Sequence, residues 1–175
     1  TEPRFAIGQR MKLIQSAQGN VLWECMSLIN DEAVAKVKSL GQVSAMSMSH
    51  PHFFSSIIEW SDALGGVPIY VHAADERWLG RRSKHIVLWH GETLQLSPDV
   101  TLINCGGHFD GSSVLHWRGG ANGKGVLLCG DTIYVVADRR YVSFMRSYPN
   151  LIPLAAPAVR QIVERVRPFQ FDRIY

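Results

Sequence analysis

Two histidines separated by a single residue follow a short run that has the character of a buried strand. His50 and His52 come directly after residues 43–48. Residues i and i+2 of an extended chain project to the same side, so two imidazoles at this spacing can converge on one metal ion. A His-x-His sequence is weak support by itself, because histidines at a surface or at a helix cap give the same pattern.

Two further candidate ligands stand at the ends of other apolar runs. The sequence Gly106-Gly-His108 follows the run 100–105, and Gly130-Asp131 follows the run 127–129. Glycines permit the tight backbone geometry that brings the next side chain to a fixed point. Each segment lies where a strand should give way to a loop, which is where α/β folds place their ligand sites. The coincidence of the three segments is a stronger indication than any one of them.

The elements that would position these residues alternate between strands and helices. The pattern predicts hairpins at 11–17/21–26 and 113–117/125–128, strands at 43–48, 68–72, 86–89, 92–96, 100–105 and 133–136, and helices at 32–40, 53–64, 73–79 and 156–166. Asn30 or Asp31 is the expected N-cap of the first helix, and Gly41 is its stop signal. Much β-structure with helices between strands indicates a layered α/β domain.

In order and approximate spacing, three motifs resemble those of the metallo-β-lactamase superfamily. They are Ser49-His-Pro-His52, Gly107-His108-x-x-Gly111-Ser112 and Gly130-Asp131. The segments 19–31 and 68–76 are also similar to an early hairpin and to a later segment of that family, so the resemblance covers most of residues 5–170. It implies an α/β fold, the metallo-β-lactamase-like αββα sandwich, with two mixed β-sheets flanked by helices. We expect a single domain over residues 1–175.

The resemblance also implies a metal site. His50, His52 and His108 would bind the first metal of the family, and Asp131 would be a fourth ligand that faces or bridges it. Three neutral histidines with a water molecule are the composition of an open, catalytic zinc site. Iron or manganese are alternatives to zinc. The reaction implied is hydrolysis of an ester, thioester, amide or phosphoester.

The sequence departs from the family pattern at the second metal. The Asp-His pair that ends the family's histidine motif falls on Phe54 and Ser55, and no histidine follows His116. A single remaining carboxylate cannot hold another divalent ion against water. We therefore expect at most one ion per chain. Asp110 could act as a surrogate ligand or catalytic base, although its position also suits an ordinary turn residue.

Two functions remain open. The favoured one is a metal-dependent hydrolase with a mononuclear site, in which Asp131 and Asp110 are the candidate catalytic residues. The alternative is a non-catalytic binding or structural protein of the same fold with a vestigial metal site. In a third arrangement the histidines only hydrogen-bond to one another.

Composition limits which partners the protein is expected to bind and in which compartment it is expected to act. The chain has 175 residues, a net charge of +3 and no run of Lys and Arg longer than a pair. This weak basic character argues against nucleic acid as a partner. The hydrolase hypothesis implies a small-molecule substrate. The three cysteines lack CxxC spacing and are expected to be buried free thiols, typical of a reducing compartment. With neither a membrane span nor a signal peptide in the pattern, the expected location is the cytoplasm.

Overall fold

The computed structural model describes residues 9–175 and contains fourteen strands within that range. The strands are β1 (Lys12–Ile14), β2 (Asn20–Trp23), β3 (Val43–Ser47), β4 (Ile69–His72), β5 (Ile86–Trp89), β6 (Thr93–Ser97), β7 (Val100–Asn104), β8 (Ser113–Trp117), β9 (Val126–Leu128), β10 (Tyr134–Val135), β11 (Val142–Ser143), β12 (Met145–Ser147), β13 (Ile152–Pro153) and β14 (Arg173–Ile174). The α-helices are α1 (Asp31–Ser39), α2 (Ile57–Ala63), α3 (Gly120–Gly123) and α4 (Ala156–Val166). Two short 3-10 helices cover Pro51–Phe53 and Ala73–Trp78.

Ten of the strands form two mixed sheets of five strands each. The first sheet has the order β1-β2-β3-β4-β5, and the second has the order β14-β9-β8-β7-β6. In the first sheet only the β1–β2 pair is antiparallel. In the second sheet only the β14–β9 pair is parallel. Both predicted hairpins are present, and the prediction of two mixed sheets is confirmed.

Alternation along the strands assigns their side chains to different layers. In β2, Leu22 belongs to a buried cluster that includes Trp60 of α2, whereas Trp23 belongs to a cluster that includes Leu102 of β7. All four side chains are fully buried. Because successive residues of a strand point to opposite faces, one face of the first sheet packs on helices and the other packs on the second sheet.

The second sheet repeats this arrangement in mirror order. Ile103, the residue after Leu102 in β7, lies in a third cluster with Ile162 of α4. The layers are therefore α1 and α2, the first sheet, the second sheet, and α4. This is the expected αββα sandwich. The prediction that residues 1–175 form a single domain stays a prediction.

The first helix begins and ends as its sequence predicts. The side chain of Asn30 accepts a hydrogen bond from the amide of Ala33 at 2.8 Å and so caps α1. After the last turn, Gly41 has a φ of +112°, a conformation that other residues rarely adopt. Capping of this kind is local, which is why the sequence reveals it.

The helix predicted over residues 53–64 is wrong at its start. Residues 51–53 form a 3-10 turn, and α2 begins only at Ile57. The backbone carbonyl of Phe53 accepts a hydrogen bond from the thiol of Cys25 at 3.2 Å, and the Ser56 hydroxyl donates to the carbonyl of Met26 at 2.8 Å. These contacts tie the segment to the chain after β2, so it does not continue as a helix.

The three cysteines are buried and free, as expected. Burial raises the pKa of the Cys25 and Cys105 thiols to about 12 and raises the pKa of Cys129 further. Thiols in this state are poor nucleophiles. Within residues 9–175, no helix combines the length and the apolar character that would let it cross a membrane.

Candidate metal centre

Four side chains from distant parts of the chain meet at one end of the sandwich. His50 and His52 follow β3 of the first sheet, His108 lies in the loop between β7 and β8, and Asp131 follows β9 of the second sheet. One potential ligand atom from each lies within 4.8 Å of the others.

Individual distances define the group. His50 Nε2 lies 3.1 Å from His52 Nδ1. Asp131 Oδ2 lies 3.6 Å from His50 Nε2 and 3.8 Å from His108 Nε2. The three imidazole rings are within 5.3 Å of one another, centroid to centroid. The ring nitrogens and the carboxylate therefore surround one small volume.

The second nitrogen of His108 fixes the orientation of its ring. His108 Nδ1 donates a hydrogen bond to the carbonyl of Met145 at 3.2 Å, so the lone pair of this imidazole lies on Nε2. That Nε2 is buried and has no hydrogen-bond partner among the described residues. Since an orphaned buried acceptor is costly, a cation beside it would remove the cost.

Electrostatics favours neutral imidazoles here. Burial, followed by the neighbouring His108 and His52, lowers the pKa of His50 to about 2. Burial also lowers the pKa of His108. Neutral histidine is the form that binds metal, and three imidazole nitrogens with a carboxylate oxygen are a donor set that zinc accepts. The residues present fit a metal ion.

Asp110, the other predicted catalytic carboxylate, is not brought into this group. Its Oδ2 accepts a hydrogen bond from Arg77 Nη2 at 2.9 Å, and its side chain is 65% exposed. The loop carries Asp110 outward, although it is only two residues from His108.

The two positions that differ from the family pattern line a cavity. Phe54 and Ser55 border a cavity of about 290 Å³ that opens beside His52. Its other lining residues are Pro51, Ile57, Ile58, Trp78, Leu79, Gly80 and Arg81. The guanidinium of Arg81 is bound by the carboxylate of Glu59 and the carbonyl of Ser55, so its charge is already paired.

Sequence reasoning missed two residues that lie behind His50. Ser49 Oγ is 2.7 Å from His50 Nδ1, and the Ser49 amide donates to Glu24 Oε2 at 3.2 Å. Glu24 is only 1% exposed, and burial raises its pKa to about 8. A signal was present, because Glu24 is the single charged residue in the apolar run 21–26.

Asp75 was also missed, and it supports the turn that carries His108. Its Oδ1 accepts a hydrogen bond from the amide of Gly111 at 2.8 Å, and burial raises its pKa to about 6. A Cβ on Gly111 would lie 2.6 Å from Asp75 Cγ, so only glycine fits there. Phe109 and Ser112 close the turn through an amide-to-hydroxyl bond of 2.8 Å.

The chain has the metallo-β-lactamase fold, as the resemblance implied. It aligns over 93% of its length with 70% of the metallo-β-lactamase SMB-1 in complex with mercaptoacetic acid, at a TM-score of 0.61 and 21% identity. An N-acyl homoserine lactone hydrolase with N-hexanoyl-L-homoserine bound at its catalytic metal centre gives a TM-score of 0.63 at 18% identity, over 93% of this chain and 78% of that one. Identities this low establish the fold alone.

A sequence relative accompanies these structural neighbours. The chain is 50% identical over all 175 residues to the uncharacterized protein YmaE of Bacillus subtilis (strain 168), and it spans 64% of that protein's length. No protein-family profile matches the chain.

Proposed function

We propose that this protein is a metal-dependent hydrolase in which His50, His52, His108 and Asp131 bind a single ion. The observation that carries the proposal is the convergence of these four side chains within 4.8 Å, from both sheets of the sandwich. The orphaned Nε2 of His108 supports it, because residues 9–175 bury this acceptor without supplying a donor to it.

A bound zinc, iron or manganese ion would lower the pKa of a water molecule and polarise a substrate oxygen. The three imidazoles supply nitrogen donors, and burial lowers the pKa of His50 and of His108, which favours their neutral form. Asp131 is the group suited to orient the attacking water and to accept its proton through Oδ1, because Oδ2 lies beside two histidines and would face the ion, and the side chain is 38% exposed. Tyr148 donates its hydroxyl to the backbone carbonyl of Asp131 at 2.9 Å and steadies this loop.

The cavity beside His52 supports a small-molecule substrate. Its lining is largely apolar and aromatic, and its one guanidinium is paired, so it suits an uncharged ester, thioester, lactone or amide carrying an apolar group. Among the structural neighbours, the lactone hydrolase binds N-hexanoyl-L-homoserine at its metal centre. With Phe54 and Ser55 in place of second-metal ligands, we propose one ion per chain.

We expect mutation of the two candidate catalytic carboxylates, Asp131 and Asp110, to have very different effects on catalysis. Asp131→Asn should lower kcat/KM by about 10²–10⁴-fold, the usual loss when a positioned proton acceptor is removed. Asp110→Asn should leave kcat/KM within about threefold, because exposed ion pairs such as Asp110–Arg77 contribute little. Steady-state kinetics on one ester substrate would measure both. Equal losses in the two variants would contradict the role proposed for Asp131.

The proposal is tested by metal content and turnover together. Metal-depleted protein reloaded with zinc, iron(II) or manganese should retain about one equivalent by elemental analysis after desalting. A panel of esters, thioesters, lactones, amides and phosphodiesters should then show hydrolysis that a chelator abolishes and added metal restores. Failure to retain any metal would refute the proposal.

The absence of second-metal residues at positions 54 and 55 favours one alternative, a binding or structural protein with a vestigial site. One bound equivalent of metal with no turnover on the whole panel would support that alternative.

We also propose that the protein acts in the cytoplasm, because its three cysteines are buried free thiols.

A further inference from the structure

Glu24 combines three unfavourable features at one position. It is an acidic residue with only 1% of its surface exposed, and its Oε1 has no hydrogen-bond partner in the described part of the chain. Its backbone has a φ of +63°, which is rare for residues other than glycine. Strained and desolvated residues persist where the surrounding structure holds them for a purpose, so the contacts of Glu24 indicate what it does.

Ser49 lies between Glu24 and His50. The amide of Ser49 donates to Glu24 Oε2 at 3.2 Å, and Ser49 Oγ is 2.7 Å from His50 Nδ1. Hydrogen bonds from the hydroxyl and amide of Ser49 lower the pKa of the Glu24 carboxyl, against the larger effect of burial. Gly130 covers this contact, since a Cβ there would lie 2.1 Å from Ser49 Oγ and 3.1 Å from Glu24 Oε1.

The direction of these hydrogen bonds matters because a serine hydroxyl carries one proton. If the hydroxyl donates to the Glu24 carboxylate, its oxygen accepts a hydrogen bond from His50 Nδ1, and the lone pair of His50 lies on Nε2. If the hydroxyl donates to His50 instead, the imidazole proton moves to Nε2. That proton would then point at His52 Nδ1, only 3.1 Å away, and would block metal binding.

We infer that Glu24 is a positioning residue which, through Ser49, holds His50 in the tautomer that can bind a metal ion through Nε2. His108 needs no such residue, because its Nδ1 faces the carbonyl of Met145, and a carbonyl can only accept. A hydroxyl can act either way, so His50 depends on the acceptor beyond Ser49. The inference rests on the proposed metal site and adds two residues that are not themselves ligands.

The tautomer can be measured in metal-free protein by NMR of ¹⁵N-labelled histidine. Spectra at about pH 9.5, above the pKa of about 8 that burial gives Glu24, keep that carboxylate charged. We expect His50 to carry its proton on Nδ1 in the wild-type protein and on Nε2 in Ser49→Ala and Glu24→Gln. A wild-type His50 with its proton on Nε2, or no change in either variant, would overturn the inference.

Metal affinity gives a second readout. By competition with a chromophoric chelator, also at about pH 9.5 so that Glu24 is charged, Ser49→Ala and Glu24→Gln should bind zinc about 10–100-fold more weakly than the wild-type protein, the usual effect of removing a residue that orients a ligand. Ser61→Ala is the matched control. Ser61 is as buried as Ser49 and lies in α2. Its hydroxyl donates to the carbonyl of Val67, in the segment between α2 and β4, at 2.6 Å.

The control variant should keep its zinc affinity within about twofold. Equal affinities for Ser49→Ala and the wild-type protein would overturn the role of Ser49. If the wild-type protein bound no zinc at all, the proposed function would fail, and the NMR experiment would still decide the tautomer.

Discussion

Replacement of His108 by alanine is expected to lower zinc affinity by on the order of 100-fold and to abolish metal-dependent hydrolysis. Zinc sites with four protein ligands bind with about 10–16 kcal/mol, so one of four ligands accounts for about 2.5–4 kcal/mol. Each 1.4 kcal/mol is about tenfold in affinity. Chelator competition would measure the dissociation constant, and turnover would be followed on the same preparations.

Two further variants show whether the loss comes from the ligand atom. His108→Asn keeps a donor near the Met145 carbonyl but lacks Nε2, so it should lose zinc affinity as alanine does. His72→Ala removes a histidine outside the group, whose Nε2 faces the carbonyl of Gly91 at 3.1 Å, and it should bind zinc normally. Zinc affinity preserved in both His108 variants would exclude His108 as a ligand.

Gly130→Ala is expected to lower the free energy of unfolding by about 2–5 kcal/mol. Its φ of +54° costs an L-residue about 1–2 kcal/mol, and its Cβ would lie 2.1 Å from Ser49 Oγ, an overlap that adds about 1–3 kcal/mol. The same overlap would displace Ser49 from His50, so zinc affinity should fall as well. Urea denaturation of the metal-free protein would give the stability.

Substitution of a second glycine with positive φ distinguishes the effect of backbone strain from the effect of the steric overlap at Gly130. Gly65, at the end of α2, has a φ of +99°, and a Cβ there would meet no atom within 4 Å. Gly65→Ala should cost about 1–2 kcal/mol of stability and leave zinc affinity unchanged. Equal effects of the two substitutions on zinc affinity would show that the space around Ser49 does not matter.

Most of the elements could be predicted because the signals that define them are local. The cap of α1 at Asn30, the two antiparallel hairpins and the helix over 156–166 all follow from residues close together in sequence. The start of α2 could not be predicted. Its boundary depends on hydrogen bonds from Cys25 and to Met26, which lie about 30 positions away in the chain.

The sequence likewise predicted only part of the candidate site. The types and order of His50, His52, His108 and Asp131 were enough to single them out, because each follows an apolar run at the point where a strand ends. Asp110 was a candidate surrogate ligand or base beside Asp131, although its position also suited a turn residue. The structure separates them, since the loop after His108 directs Asp110 outward to Arg77.

The sequence by itself determined a layered α/β domain and the four side chains suited to a metal, because strand periodicity and ligand chemistry are carried by the residues themselves, and the resemblance of its motifs implied the αββα class. The tertiary structure decided that the end of β3 in one sheet meets the ends of β7 and β9 in the other, where the amide of Ser113 donates to the carbonyl of Ser49 at 2.9 Å. It also decided that Glu24 lies behind His50 through Ser49. Such contacts depend on the order and stacking of the sheets, and these arise from packing between residues far apart in the chain.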